Sequence, residues 1–188
     1  MLQIHNPDDF NKFLRTQKLT DKFKSFQTLS THQQNVFIPL VLQLNNIIKT
    51  GMAWDNIITL SGSAGVGKTF VTSKIIELFT MMKCDITITA PTHKALSVIS
   101  KILFDLDVSA DKVTCKTIHS YLNLKQQKDF STGKTSFVPD RKKEILNTDL
   151  LIIDESSMVG EEIYEYIIEA IEHDKCKAVL FIGDYYQL

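Results

Sequence analysis

The sequence predicts an α/β fold with a mostly parallel sheet covered by helices on both faces. Three observations lead there. Short runs that are apolar at successive positions alternate with segments of helical periodicity, the pattern of buried strands joined by crossover helices. A Gly-rich octapeptide, Gly62-Ser63-Ala64-Gly65-Val66-Gly67-Lys68-Thr69, lies directly between such a run and such a helix. The length of 188 residues, 44% of them hydrophobic and 23% charged, suits one globular core that needs neither disulfides nor a structural metal to fold.

The elements follow in order. Pro7 in a first-turn position, with Phe10, Phe13 and Leu14 at i, i+3 and i+4, predicts an amphipathic helix over 7–18. Ser30 and Gln33 have capping-box spacing at the head of a second helix. Its apolar stripe is Val36, Phe37, Leu40, Val41, Leu44, Ile47 and Ile48, and Pro39 inside it predicts a kink. From residue 56 the pattern becomes strand 56–60, helix 68–82, strand 85–90 and helix 92–104. Strands at 149–153 and 178–182 flank a helix at 161–173, which opens with Glu161 and Glu162 against the positive end of its dipole. Between these halves, residues 120–148 break the alternation: 126–130 and 135–138 predict an inserted β-hairpin turning at Ser131-Thr132-Gly133-Lys134.

Composition removes several function classes. No apolar run approaches the ~20 residues that span a bilayer, and Asp8 and Asp9 stand where a secretory signal would be apolar. The expectation is a cytoplasmic protein with no membrane partner. Cys84, Cys115 and Cys176 are isolated and read as small apolar fillers in a reducing compartment. The net charge of −1 gives no bulk sign of nucleic-acid binding. Residues 125–143, however, carry a local charge of +4 around two aromatics, Phe130 and Phe137.

The octapeptide has the G-x-x-x-x-G-K-[ST] pattern of a phosphate-binding loop in the required strand-to-helix context. Its glycines let backbone N–H groups turn onto phosphate oxygens, and the following helix N-terminus adds partial positive charge. Lys68 would bridge the β and γ phosphates, and Thr69 would offer its hydroxyl to Mg²⁺. The bland reading is an ordinary Gly-containing turn. The run Leu150-Leu151-Ile152-Ile153 ends in Asp154-Glu155, which suits a carboxylate for Mg²⁺ at Asp154 and one that polarises an attacking water at Glu155. Its bland reading is a buried strand that ends in an exposed acid.

Flanking residues go further. Asp154-Glu155-Ser156-Ser157-Met158 resembles the D-E-x-S-M box of the RecD/Dda-like helicases, a 5′-to-3′ branch of helicase superfamily 1. Ala90-Pro91-Thr92-His93-Lys94-Ala95 is similar to that family's motif Ia, Thr117-Ile118-His119-Ser120 to its T-x-H box, Gly183-Asp184-Tyr185-Tyr186-Gln187-Leu188 to its motif III, and Leu29-Ser30-Thr31-His32-Gln33 to its Q motif. The resemblance covers 29–188 and implies a RecA-like P-loop NTPase domain that takes ATP and Mg²⁺. Residues 1–28 would then be a helical N-terminal extension.

By the same resemblance Gln33 would read the adenine edge, although the capping box is its competing role. Pro91, Thr92, His93 and Lys94 would meet a DNA phosphate at a helix start, with capping by Thr92 as the alternative. Thr117 and His119 would touch nucleic acid, or His119 would be a hydrogen-bonded structural residue. Asp184 and Gln187 would sense the γ-phosphate. The inserted hairpin would act as a pin at the duplex fork, with Phe130 or Phe137 stacking on a base, unless these aromatics only pack on the parent domain.

The implied partners are single-stranded DNA and the duplex fork, with replication or recombination proteins beyond them. The implied protein is an ATP-dependent 5′-to-3′ DNA helicase. A nucleotide-binding regulatory or clamp module without unwinding is the alternative, and a kinase is disfavoured because only Arg15 and Arg141 are present to build a lid. Superfamily 1 helicases resemble two stacked RecA-like domains, and the second is expected to be absent from these 188 residues. The chain alone is therefore expected to hydrolyse ATP poorly.

Overall fold

The computed structural model describes residues 7–51, 56–90, 92–105, 110–128, 133, 135–140 and 142–184. The element order is α1 (Pro7–Thr16), α2 (Thr31–Thr50), β1 (Ile57–Ser61), α3 (Lys68–Met81), β2 (Ile86–Ala90), α4 (His93–Asp105), β3 (Val113–Thr117), α5 (Ile118–Tyr121), β4 (Leu124–Lys128), β5 (Thr135–Pro139), β6 (Thr148–Ile153), α6 (Glu161–Glu172) and β7 (Cys176–Gly183). Five strands form one sheet in the order β1-β7-β6-β2-β3, and every adjacent pair is parallel. The antiparallel pair β4-β5 stands apart as the inserted hairpin.

Side-chain alternation along the central strands divides the core into two layers. Leu150 and Ile152 of β6, with Ala178, Leu180 and Ile182 of β7, face the layer built by α1, α2, α3 and Ile99 of α4. Leu151 and Ile153, with Val179 and Phe181, face α5 and α6 through Ile118, Tyr121, Ile163 and Ile167. Such strands are buried on both faces, which is why they read as unbroken apolar runs.

The N-terminal segment belongs to the first layer. Phe10, Phe13, Leu14, Leu19, Phe23 and Leu29 are buried with Phe37 of α2 in the same cluster as the sheet. Phe10 meets Phe37 edge-on at 5.7 Å between ring centroids. A ten-residue helix such as α1 is too short to hold itself in water, and burial of its aromatic face stabilises it.

Three local outcomes refine the expectations. Helix α2 is continuous from Thr31 to Thr50 with Pro39 inside it. The hairpin's first strand begins two residues earlier than predicted, because Leu124 packs on the second core layer and pairs with Pro139. Strand β3 has no counterpart in the sequence reading: Val113-Thr114-Cys115-Lys116-Thr117 is half-buried throughout, as an edge strand is, and shows no apolar run. Among the described residues no helix is long and apolar enough to cross a membrane.

Candidate nucleotide and nucleic-acid site

In a parallel sheet all carboxyl ends lie along one edge, where open α/β folds place their ligands. Here every strand of the sheet runs into one of the sequence boxes on that edge. The Gly-rich loop follows β1, Asp184 follows β7, Asp154 and Glu155 follow β6, Thr92 and Lys94 follow β2, and Thr117 ends β3. Register fixes the neighbours: Ser61 lies beside Gly183, and Ala90 beside Thr117. Chain segments far apart in sequence thus become adjacent strand ends.

The loop has the backbone its glycines permit. Gly65 and Gly67 sit at φ +80° and +89°, and Gly67 is the N-cap of α3. A Cβ on residue 67 would stand 2.5 Å from Gln33 Nε2, so the side chain of Gln33 leans directly on the loop. Gln33 also closes the capping box of α2. Its Oε1 accepts the Ser30 N–H at 3.0 Å, and its own N–H donates to Ser30 Oγ at 3.3 Å. The predicted capping role is therefore present, and it aims the amide nitrogen at the loop. Ser63, Ala64, Gly65 and Val66 are exposed. The Lys68 ammonium donates to the carbonyls of Gly62 at 2.5 Å and Ser63 at 3.0 Å, which keeps it over the loop.

Thr69 and Asp154 line one cavity together with Thr72, Ile88 and Ile152. The Asp154 N–H donates to the Thr89 carbonyl at 2.9 Å, and Asp154 Oδ1 accepts the Glu155 N–H at 3.0 Å. Burial raises the Asp154 carboxyl above its ordinary range, against the opposing pull of the Glu155 N–H and the Lys68 charge. Glu155 is exposed and left-handed at φ +51°. For a non-glycine residue this conformation costs about 1 kcal/mol, and it turns the chain sharply off β6 into the short 3₁₀ turn Ser156–Met158.

Two features of the edge escaped the sequence reading. Ser156 Oγ lies 2.5 Å from where a Cβ on Gly183 would be, and the Gly62 N–H donates to the Gly183 carbonyl at 3.4 Å. Gly183 thus sits between the Gly-rich loop and the acidic box. The signal was available only as a glycine at the end of an apolar strand. Asp184 is half-buried beside it, and Gln187 lies outside the described residues.

On the β2-β3 side, Thr92 Oγ1 accepts the Ala95 N–H at 3.2 Å, and Lys94 is exposed. Pro91 and the His93 side chain lie outside the described residues. Thr117 Oγ1 caps α5 by accepting the Ser120 N–H at 3.2 Å. The His119 ring packs on Phe137 of β5 with centroids 4.3 Å apart, and the Tyr166 hydroxyl donates to the Phe137 carbonyl at 3.4 Å. The hairpin is therefore seated on the T-x-H segment and on α6. Phe137 is half-buried in that seat, and Phe130, Lys134 and Arg141 lie outside the described residues.

Lys125 forms a 2.7 Å ion pair with Asp140 at the hairpin base, and this hydrogen bond holds the Asp140 carboxyl below its usual range. Part of the basic patch is thereby neutralised. Thr117, His119, Ser120, Asn123, Lys125 and Lys143 line a polar groove beside it.

The residues fit a magnesium nucleotide. A Gly-rich loop with two left-handed glycines, an ammonium over its mouth, and a hydroxyl and a carboxylate on one cavity form a donor set of the hard oxygen type that Mg²⁺ takes alongside phosphates. No cluster of three or more His, Cys, Asp or Glu side chains that would hold a metal by itself occurs among the described residues.

Fold and edge together define a RecA-like P-loop ATPase domain. The sequence matches the AAA domain family over residues 45–188. It is 30% identical over 184 residues to the RecBCD enzyme subunit RecD of Buchnera aphidicola subsp. Schizaphis graminum, covering 87% of this chain and 29% of that protein. It is 29% identical over 150 residues to the ATP-dependent DNA helicase dda of Enterobacteria phage T4, covering 78% and 30%. An uncharacterised protein of Methanocaldococcus jannaschii is 38% identical over 138 residues, covering 69% and 11%. The chain belongs to the AAA domain family, as an ATPase domain of the RecD/Dda-like helicases of superfamily 1. It spans less than a third of the length of each of these relatives.

Proposed function

We propose that this chain is the nucleotide-binding half of a DNA helicase that moves 5′ to 3′ on a single strand and opens the duplex ahead of it. The observation that supports this best is the convergence of five separate boxes on one carboxyl edge of the sheet. Nucleotide-handling residues end β1, β6 and β7, and strand-handling residues end the neighbouring β2 and β3. A change at the phosphates thus has a short path to the strand.

In this reading the loop N–H groups from Gly62 to Thr69 wrap the phosphates, and Lys68 exchanges its carbonyl partners for β and γ oxygens, a charge-assisted and stronger bond. Thr69 and Asp154 would hold Mg²⁺, which when bound neutralises developing charge on the phosphates. Glu155, turned out into solvent by its left-handed backbone, accepts a hydrogen bond from the attacking water and aligns it with the γ-phosphorus as the bond to ADP breaks. Asp184 and Gln187 would report the γ-phosphate, and Gln33 the base. Thr92, His93, Lys94, Thr117 and the hairpin lysines face the strand, while Phe137 and His119 set the hairpin's position.

A transition-state arginine from a second RecA-like domain completes the site, an addition worth about 10³ to 10⁵ in turnover in other P-loop enzymes. A polypeptide of these 188 residues therefore binds Mg·ATP and a single-stranded oligonucleotide, and turns over far more slowly than once per second. Equilibrium binding with both ligands and a steady-state phosphate-release assay test this. DNA-stimulated turnover of several per second would refute the need for a second domain, and nucleotide binding with no strand binding would favour a clamp or regulatory module.

A further inference from the structure

We infer that the backbone N–H of Ser30 is a specificity determinant: it pins the Gln33 amide in the orientation that suits adenine and opposes guanine. The inference rests on the proposed role of Gln33 at the base and concerns how that role is enforced.

A glutamine amide is nearly symmetric in shape and opposite in chemistry at its two ends. With oxygen and nitrogen in one order it matches adenine, whose edge pairs an amino donor with the N7 acceptor. Turned by 180° it offers its NH₂ where its oxygen had been, which suits the O6 and N7 acceptors of guanine. An unrestrained glutamine therefore discriminates poorly, because it can turn to fit either base. At Gln33 that freedom is removed. Oε1 accepts the Ser30 N–H at 3.0 Å, and a backbone N–H has only a proton to give. Turning the amide would set a donor against a donor and lose the bond. Nε2 is held on the opposite side, against Gly67 of the phosphate loop. The oxygen keeps a second lone pair for the adenine amino group, so the pin and the base do not compete.

The Ser30 hydroxyl makes a different bond, to the Gln33 N–H, and caps the helix without touching the amide. The two functions of Ser30 can therefore be separated by substitution. Ser30→Ala removes the hydroxyl and keeps the pinning N–H. Ser30→Pro removes both, and the site accepts proline because Ser30 has φ −63° and the preceding Leu29 is extended at ψ 135°.

The experiment measures the affinity of the 188-residue chain for Mg·ATP and Mg·GTP in the wild type, Ser30→Ala, Ser30→Pro and Gln33→Ala. The pin predicts that Ser30→Ala keeps the wild-type preference for ATP, while Ser30→Pro lowers that preference by about 3- to 10-fold, the worth of one hydrogen bond. Gln33→Ala lowers it at least as far. An unchanged preference in Ser30→Pro, with a reduced one in Gln33→Ala, overturns the pin and leaves the base-reading role standing. An unchanged preference in Gln33→Ala overturns the base-reading role itself.

Amide hydrogen exchange of the wild-type chain gives a check independent of whether the proline variant folds. The Ser30 N–H stays protected when Mg·ATP binds. Loss of that protection would mean the oxygen leaves Ser30 for the base, which overturns the pin.

Discussion

Gly67→Ala is the substitution whose cost the structure itemises most fully, because Gly65 supplies an internal control. Both glycines are left-handed, at φ +80° for Gly65 and +89° for Gly67, so alanine at either position carries a backbone cost of about 1 kcal/mol. Around Gly65 nothing lies within 4 Å of an added Cβ, and the backbone term is the whole effect. At Gly67 the Cβ would sit 2.5 Å from Gln33 Nε2, so Gln33 must move and its bond to the Ser30 N–H breaks. Losing that half of the capping box adds about 1 kcal/mol. Gly65→Ala should therefore lower Tm by about 3 °C and Gly67→Ala by about 6 °C, at the roughly 3 °C per kcal/mol expected for a domain of this size. Thermal unfolding followed by circular dichroism gives both values. In the Gln33→Ala background the steric term has already gone, and Gly67→Ala should cost no more than Gly65→Ala, a coupling of about 1 kcal/mol in a double-mutant cycle. Equal costs for the two glycines in the wild type, or strict additivity in the cycle, would refute the contact between Gln33 and the loop.

Three further outcomes follow from buried groups. Burial raises the Asp154 carboxyl, so the charged form is disfavoured by folding and its cost is present above its titration and absent below it. Asp154→Asn should raise Tm at neutral pH, lose that advantage as pH falls through the carboxyl's titration, and weaken Mg²⁺-dependent nucleotide binding; an equal Tm gain at every pH would contradict the assignment. Lys74, buried on α3, pairs with Glu77 at 3.0 Å, and Glu77 accepts the Ser25 hydroxyl at 2.8 Å. Lys74→Ala should cost about 3 kcal/mol by leaving Glu77 unpaired, and Glu77→Ala in the same chain should return part of it, a recovery that denaturant unfolding measures. Burial pushes the thiols of Cys84 and Cys176 up to about 11 and about 12, so iodoacetamide at pH 8 should label them only when the chain unfolds.

The central strands were legible because both their faces are buried, which leaves no polar alternation to blur an apolar run such as Leu150-Leu151-Ile152-Ile153. The Gly-rich loop was legible because its spacing and its strand-to-helix context agree. Strand β3 was hidden by its place at the sheet edge, where Thr114 and Lys116 are as acceptable as aliphatic residues. Contacts across the edge were hidden for another reason. The touch of Gln33 on Gly67, of Ser156 on Gly183 and of His119 on Phe137 depends on strand order and loop path, which no local pattern encodes. Capping spacing at Ser30 and Gln33 was readable, but its second use at the phosphate loop appears only once α2 is placed against α3.

The central claim is that the loop after β1 holds a nucleotide through Lys68. Its most direct test is a titration of the 188-residue chain with fluorescent Mg·ATP, beside Lys68→Ala. The predicted result is saturable binding by the wild type and binding about 10- to 100-fold weaker in the variant, the worth of charge-assisted bonds to phosphate, with Tm within a few degrees. Equal affinity in the two chains, or no binding by the folded wild type, would contradict it.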